Sequence, residues 1–209
     1  MAATQPNVVI VNNDVRATQN WMVGSTDALL TVPVDNVGDW LIQVVDERAS
    51  FSDSHEWQLL ATADKPPIEW TMNEDEAGGN NAIGTGLPLE NGDLVYGVLD
   101  RNDQDFYTLE VPDGQSRIYL RIHAWRFGSP TDARVTLYKP NQVVERVKTS
   151  GENAYDQDPL MDRNVYEAGT WLVKVDLQGA GGSPLYWYVL EVGLESVSAD
   201  SGEDGAGGE

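Results

Sequence analysis

Residues 91–115 read N-G-D-L-V-Y-G-V-L-D-R-N-D-Q-D-F-Y-T-L-E-V-P-D-G-Q. Leu94, Tyr96 and Val98 alternate with Val95, Gly97 and Leu99. Tyr107, Leu109 and Val111 alternate with Phe106, Thr108 and Glu110. Period two is the mark of half-buried strands. Between the two runs lies an acidic turn with Asp100, Asp103 and Asp105. Pro112-Asp113-Gly114 signals a second tight turn. A third strand follows, with Ile118, Leu120, Ile122 and Ala124 on one face.

Moving outward, the same period governs the whole chain, and no 3.6-residue period of useful length appears. The N-terminal part carries β-patterned runs at Val8–Val11, Ala28–Val34, Trp40–Val45 and His55–Ala63. Ile68, Trp70 and Met72 alternate within a stretch that Pro66-Pro67 and Gly78-Gly79 otherwise mark as a linker. Gly179-Ala180-Gly181-Gly182 reads as a hairpin loop between two strands. The tail from Ser196 has the composition of a linker or a disordered segment.

The sequence also repeats itself. Val34-x-x-x-Gly38-x-Trp40-Leu41-Ile42-Gln43-Val44 aligns with Val165-x-x-x-Gly169-x-Trp171-Leu172-Val173-Lys174-Val175, and the register continues to pair Trp57 with Tyr188, Leu59 with Leu190 and Ala61 with Val192. Upstream, V-I-V-N-N-D-V near Val9 resembles L-Y-K-P-N-Q-V near Leu137. The first copy lacks counterparts of the strands at 94–99, 105–111 and 117–124. Half a sandwich leaves open edges and an apolar face. The second domain, a neighbouring copy of the chain or residues outside this sequence would cover that face, or residues 1–64 form a small self-sufficient sheet packed on the second domain.

The totals bound the function. The chain has 209 residues, 41% of them hydrophobic, with seven tryptophans and eight tyrosines, enough for packed β cores. A net charge of −21 disfavours nucleic acid, whose phosphates need Lys and Arg, and disfavours anionic membranes. It suits hard cations or a repelling, solvated surface. There is no cysteine. No apolar run is long enough to span a membrane. Met1-Ala2-Ala3-Thr4 lacks the basic and apolar regions of a signal peptide. His55 and His123 have no companion at zinc spacing, and no nucleophile elbow occurs, so the chain reads as non-enzymatic. Arg117, Tyr119, Arg121, His123, Trp125 and Arg126 read as ordinary cross-strand pairing before they read as a site for an acidic partner.

The run G-x-L-D…D-Q-D-F-Y-T-L-E-V-P-D-G-Q resembles the bacterial pre-peptidase C-terminal (PPC) domain family, an all-β accessory module of secreted peptidases and other extracellular proteins. Val135–Asn141 (V-T-L-Y-K-P-N), Ala168–Val175 (A-G-T-W-L-V-K-V) and Tyr188–Val192 (Y-V-L-E-V) resemble its later motifs, in order. The resemblance implies an all-β fold: a jelly-roll-like β-sandwich at 81–195, a partial PPC-like unit at 1–64, an acidic linker at 65–80 and a Gly-rich acidic tail at 196–209. It favours a processed chain or a piece of a longer secreted protein, at the cell surface or outside the cell. It also implies a calcium site formed by linker and acidic turn. Its ligands would be Glu74, Glu76, Asn80 and Asn81 from the linker, and Asp103 and Asp105, with Asp100, from the turn. The linker spacing is stretched here by Ala77-Gly78-Gly79. From the residues alone, ligands and a merely solvated acidic cluster are both open.

Two functions follow. One is a structural module that assembles into a filament, surface layer or matrix, with the 1–64 unit or the tail of one copy completing the next. The other is a substrate- or matrix-binding accessory domain of a secreted peptidase or other hydrolase.

Overall fold

The computed structural model describes residues 6–12, 15–19, 29–33, 40–46, 59, 61, 68–74, 79–149, 157–179 and 181–197. Thirteen strands are present among them. The first three, β1 (Pro6–Asn12), β2 (Val15–Gln19) and β3 (Leu41–Asp46), form an antiparallel sheet in the order β2-β1-β3.

The remaining strands build two five-stranded sheets packed face to face. One has the order β10-β9-β12-β7-β5, from β5 (Leu87–Leu89), β7 (Gln104–Val111), β9 (Ala133–Tyr138), β10 (Val144–Lys148) and β12 (Gly169–Leu177). The other has the order β11-β8-β13-β6-β4, from β4 (Met72–Asn73), β6 (Leu94–Val98), β8 (Ser116–His123), β11 (Leu160–Val165) and β13 (Trp187–Ser196). Only β4 and β5 pair in parallel with their neighbours. The fold is a β-sandwich.

Alternation explains the packing. Tyr107, Leu109 and Val111 of β7, Val135 and Leu137 of β9 and Trp171, Val173 and Val175 of β12 point inward from one sheet. Ile118, Leu120 and Ile122 of β8 and Tyr188, Leu190 and Val192 of β13 meet them from the other. Each aliphatic side chain so buried contributes about 1.5–3 kcal/mol. The quoted stretch 91–115 therefore supplies one strand to each sheet, and its acidic turn crosses from sheet to sheet.

Three expectations need correction. The Gly179–Gly182 loop is not a hairpin, because β12 and β13 lie in opposite sheets. Gly182, at φ +111, packs against the Asp100 carbonyl there, a contact that no side chain would permit. Residues 29–33 carry no strand. Leu59, aligned with the fully buried Leu190, is 48% exposed, and Ala61 is exposed too. Leu190 is buried because β6 and β8 flank it. The N-terminal copy has no sequence counterpart of either strand. Trp57 and the tail beyond Val197 lie outside the described residues.

The first half of the repeat has a structural equivalent. The order β2-β1-β3 matches β10-β9-β12. Ile42 faces Ile10 as Val173 faces Leu137, and Val44 faces Val8 as Val175 faces Val135. The register thus places Ile10, not Val9, at the position of Leu137. The turn is shorter in the first unit: Asn12 pairs with Val15, whereas Tyr138 pairs with Val144.

Candidate functional site

Asp105 is the second residue of β7 and lies on its inward face, two residues before Tyr107. The acidic turn that delivers it is tied to itself. Asp103 N–H donates to the Asp100 carbonyl at 3.1 Å, and Asn102 takes the left-handed conformation at φ 64. The Asp100 carboxylate accepts from Arg101 N–H at 2.7 Å, and Asp103 accepts from Gln104 N–H at 3.0 Å. Both side chains are thus engaged in local turn bonds, which suit short acidic residues at such positions.

The linker arrives from the other side. Glu74 follows β4 directly and is 3% exposed. Its Oε1 accepts from Val98 N–H at 3.2 Å, and its Oε2 accepts from Asn80 Nδ2 at 2.7 Å and from the Tyr107 hydroxyl at 3.1 Å. Asn80 in turn accepts through its backbone carbonyl from Phe106 N–H at 2.9 Å. The linker is thereby stitched to the start of β7.

Across the sandwich, Tyr188 of β13 donates its hydroxyl to Asp105 Oδ2 at 2.6 Å and lies 2.6 Å from the Tyr107 hydroxyl. Room for this comes from Gly97, paired with Tyr188 in the ladder. A Cβ at Gly97 would sit 2.5 Å from Tyr188 Cζ and 2.7 Å from Glu74 Oε1.

Asp105 is 1% exposed, and its Oδ1 has no hydrogen-bond partner. Burial and the neighbouring Glu74 charge push its pKa up to about 9, with Asp103 adding to the rise. Burial likewise raises Glu74, against the bonds it accepts. Among the described residues, no Lys or Arg forms an ion pair with either carboxyl. Two acids buried side by side without a counter-charge must share a proton or hold a cation. Two carboxyls, an amide and two hydroxyls are a hard oxygen-rich set, which fits Ca²⁺ and not a soft metal.

Of the seven residues expected from sequence, the fold gathers Glu74, Asn80 and Asp105. Asp103 stands close enough to act on Asp105 electrostatically. Asn81 and Asp100 are exposed, and Glu76 lies outside the described residues. Among the described residues no three His, Cys, Asp or Glu side chains converge. Sequence reasoning missed Tyr107, Tyr188 and Gly97. Tyr107 was accessible, since the strand period puts it on the face of Asp105. Tyr188 was not, because nothing in a sequence says which strand lies across the core.

The basic and aromatic face of β8 is paired in part, while Arg121 Nε, His123 Nδ1 and Trp125 Nε1 are buried without a hydrogen-bond partner among the described residues. Arg117 binds Asp162 of β11 through both nitrogens, His123 Nε2 meets Glu191 of β13 at 2.8 Å and Arg126 meets Asp158 at 2.9 Å.

No family model and no curated protein matches the sequence. Among solved structures, the chain is similar to the pre-peptidase C-terminal domain of a collagenase from Bacillus anthracis. The identity is 13% and the TM-score 0.39, over 53% of this chain and 94% of that one. No residue role follows from a likeness at that level. Among the described residues no helix is long and apolar enough to cross a membrane.

Proposed function

We propose that residues 81–195 form a PPC-like accessory module of an extracellular protein, non-catalytic and serving attachment to a substrate or matrix, with Ca²⁺ as the ion that completes its acidic corner. The observation that carries the cation is the buried Glu74–Asp105 carboxyl pair, which has no Lys or Arg in an ion pair with it among the described residues. Glu74, Asn80 and Asp105 would hold the ion, and Tyr107 and Tyr188 would fix the carboxylates. The ion would supply the missing positive charge and lock the linker to β7. The ordered set of four sequence motifs on a β-sandwich supports the family reading. The matching order and register of β2-β1-β3 and β10-β9-β12 support reading residues 1–64 as a partial copy.

Titration with calcium tests the site. A ligand that binds only the folded state raises its melting temperature, so millimolar calcium raises Tm over an EDTA control. Asp105→Asn removes that response. An unchanged Tm in the wild-type chain would discard the cation. The accessory role is checked separately, by whether the full reading frame carries a hydrolase domain.

Assembly into a filament has less behind it. β10 is a sheet edge with Val144 and Val147 exposed, a surface open to strand addition.

A further inference from the structure

Residues 29–33 lie against the outer face of the sheet that contains β13. Thr31 N–H donates to the Gly128 carbonyl at 2.7 Å. The Thr31 carbonyl accepts from the indole N–H of Trp187 at 2.8 Å. Both main-chain groups of one residue are therefore taken, one by backbone and one by an aromatic donor. The receiving surface is itself hydrogen-bonded and buried. Trp187 is 3% exposed, and its own carbonyl accepts from Ser129 Oγ at 2.5 Å and Thr131 Oγ1 at 2.9 Å. Gly128 closes the 3-10 turn Trp125–Phe127 at φ +82. That turn is held by the buried Asp158 carboxylate, which accepts from the backbone N–H groups of Ala124, Trp125 and Arg126.

Gly128 is also the point of closest approach. A Cβ there would lie 2.8 Å from Leu29 Cγ and 3.0 Å from both Thr31 N and Thr31 Oγ1. Any side chain at 128 would collide with the incoming segment and with nothing else within 4 Å closer than it. Bonds to the segment's main chain supply affinity and a steric notch supplies selection, a division of labour shared with other extended-peptide sites.

We infer that the Gly128–Trp187 surface is a docking groove for an extended segment, that its occupant is this chain's own Leu29–Pro33, and that the glycine at 128 is what admits it. The groove then fastens the N-terminal strands to the sandwich without using the acidic corner, so this inference stands apart from the calcium reading. Docking is a local equilibrium, separable from unfolding of the core.

The test follows the Trp187 indole proton by hydrogen exchange in the full chain, assigned with Trp187→Phe. Thr31→Pro deletes the donor to Gly128, and Gly128→Val fills the notch, with Gly128→Ala as the milder form should valine prevent folding. Each lowers indole protection by about tenfold or more, while amides of β12 keep their slow exchange. A synthetic peptide spanning Thr26–Asn36 restores protection to Thr31→Pro but not to the Gly128 variants. Unchanged protection in the variants, failure of the peptide on Thr31→Pro, or rescue of the Gly128 variants would each overturn the inference.

Discussion

The Tyr188 hydroxyl donates to Asp105 Oδ2 at 2.6 Å across 83 positions of sequence. That bond joins β13 of one sheet to β7 of the other at the corner where the linker enters. It places a neutral donor beside a carboxyl that burial has stripped of water. A hydroxyl relieves such a group only in part, and the remaining demand on Asp105 gives the molecule its testable chemistry.

The first consequence is a reversed pH dependence. Asp105 is raised to about 9 from 3.8, and Glu74, Asp132 and Asp158 are raised by burial as well. Between these limits the folded chain holds protons that the unfolded chain has released. Metal-free stability therefore falls as pH rises from about 5 to 9. Calcium flattens the slope, because the cation takes the place of the proton. Glu145, Asp162 and Asp176 are shifted downward by their basic partners, though burial opposes this at Asp176, and they act only below this window. Melting curves at pH 5, 7 and 9, with EDTA and with calcium, check it. A metal-free Tm that climbs with pH would contradict the shared-proton account.

Asp105→Asn separates charge from shape. The amide is neutral without taking up a proton on folding, and it offers Glu74 a donor. In EDTA at pH 8 the variant melts a few degrees above wild type. In calcium the order reverses, since the variant gains nothing from the ion. Thermal unfolding under the two conditions measures both effects.

Gly97→Ala attacks the same corner sterically. The new methyl group meets Tyr188 Cζ at 2.5 Å and Glu74 Oε1 at 2.7 Å, both held by hydrogen bonds. Overpacking of this kind costs about 1–3 kcal/mol. Urea unfolding gives the loss, and the calcium response disappears with it.

Asp158→Ala tests the turn behind Gly128. Three backbone N–H groups and the Arg126 guanidinium lose their acceptor in a buried setting. The cost is about 2–3 kcal/mol. Arg117→Ala is the control: its bond to Asp162 is bidentate but close to half exposed, and such pairs contribute under about 1 kcal/mol. Equal losses in the two variants would show that burial of Asp158 is not what matters.

The sequence made some of this legible and hid the rest for identifiable reasons. Period-two runs located β6, β7 and β8, whose core-facing positions recur at every second residue; the repeat and the later motifs located β12 and β13, whose centres are buried on both faces. β10 and β11 escaped because they carry charge on both faces: Glu145, Arg146 and Lys148 in one, Asp162 and Arg163 in the other. β5 escaped because Pro88 sits at its centre, which an edge position tolerates. Of the candidate ligands, Asp105 and Glu74 were found from acidic residue type and motif, yet so were Asp100 and Asn81, which stay exposed.

What the chain's own pattern determined was local: which residues alternate, where turns fall, and that the runs around Trp40 and Trp171 share one pattern. Alternation and turns depend on neighbours within a few positions. Which strands face one another belonged to the tertiary structure, and with it the meeting of Glu74, Asp105, Tyr107 and Tyr188 and the seating of Thr31 on Gly128. A carboxylate becomes a site only when distant segments bury it and withhold its counter-charge. No run of residues read along the chain contains that information.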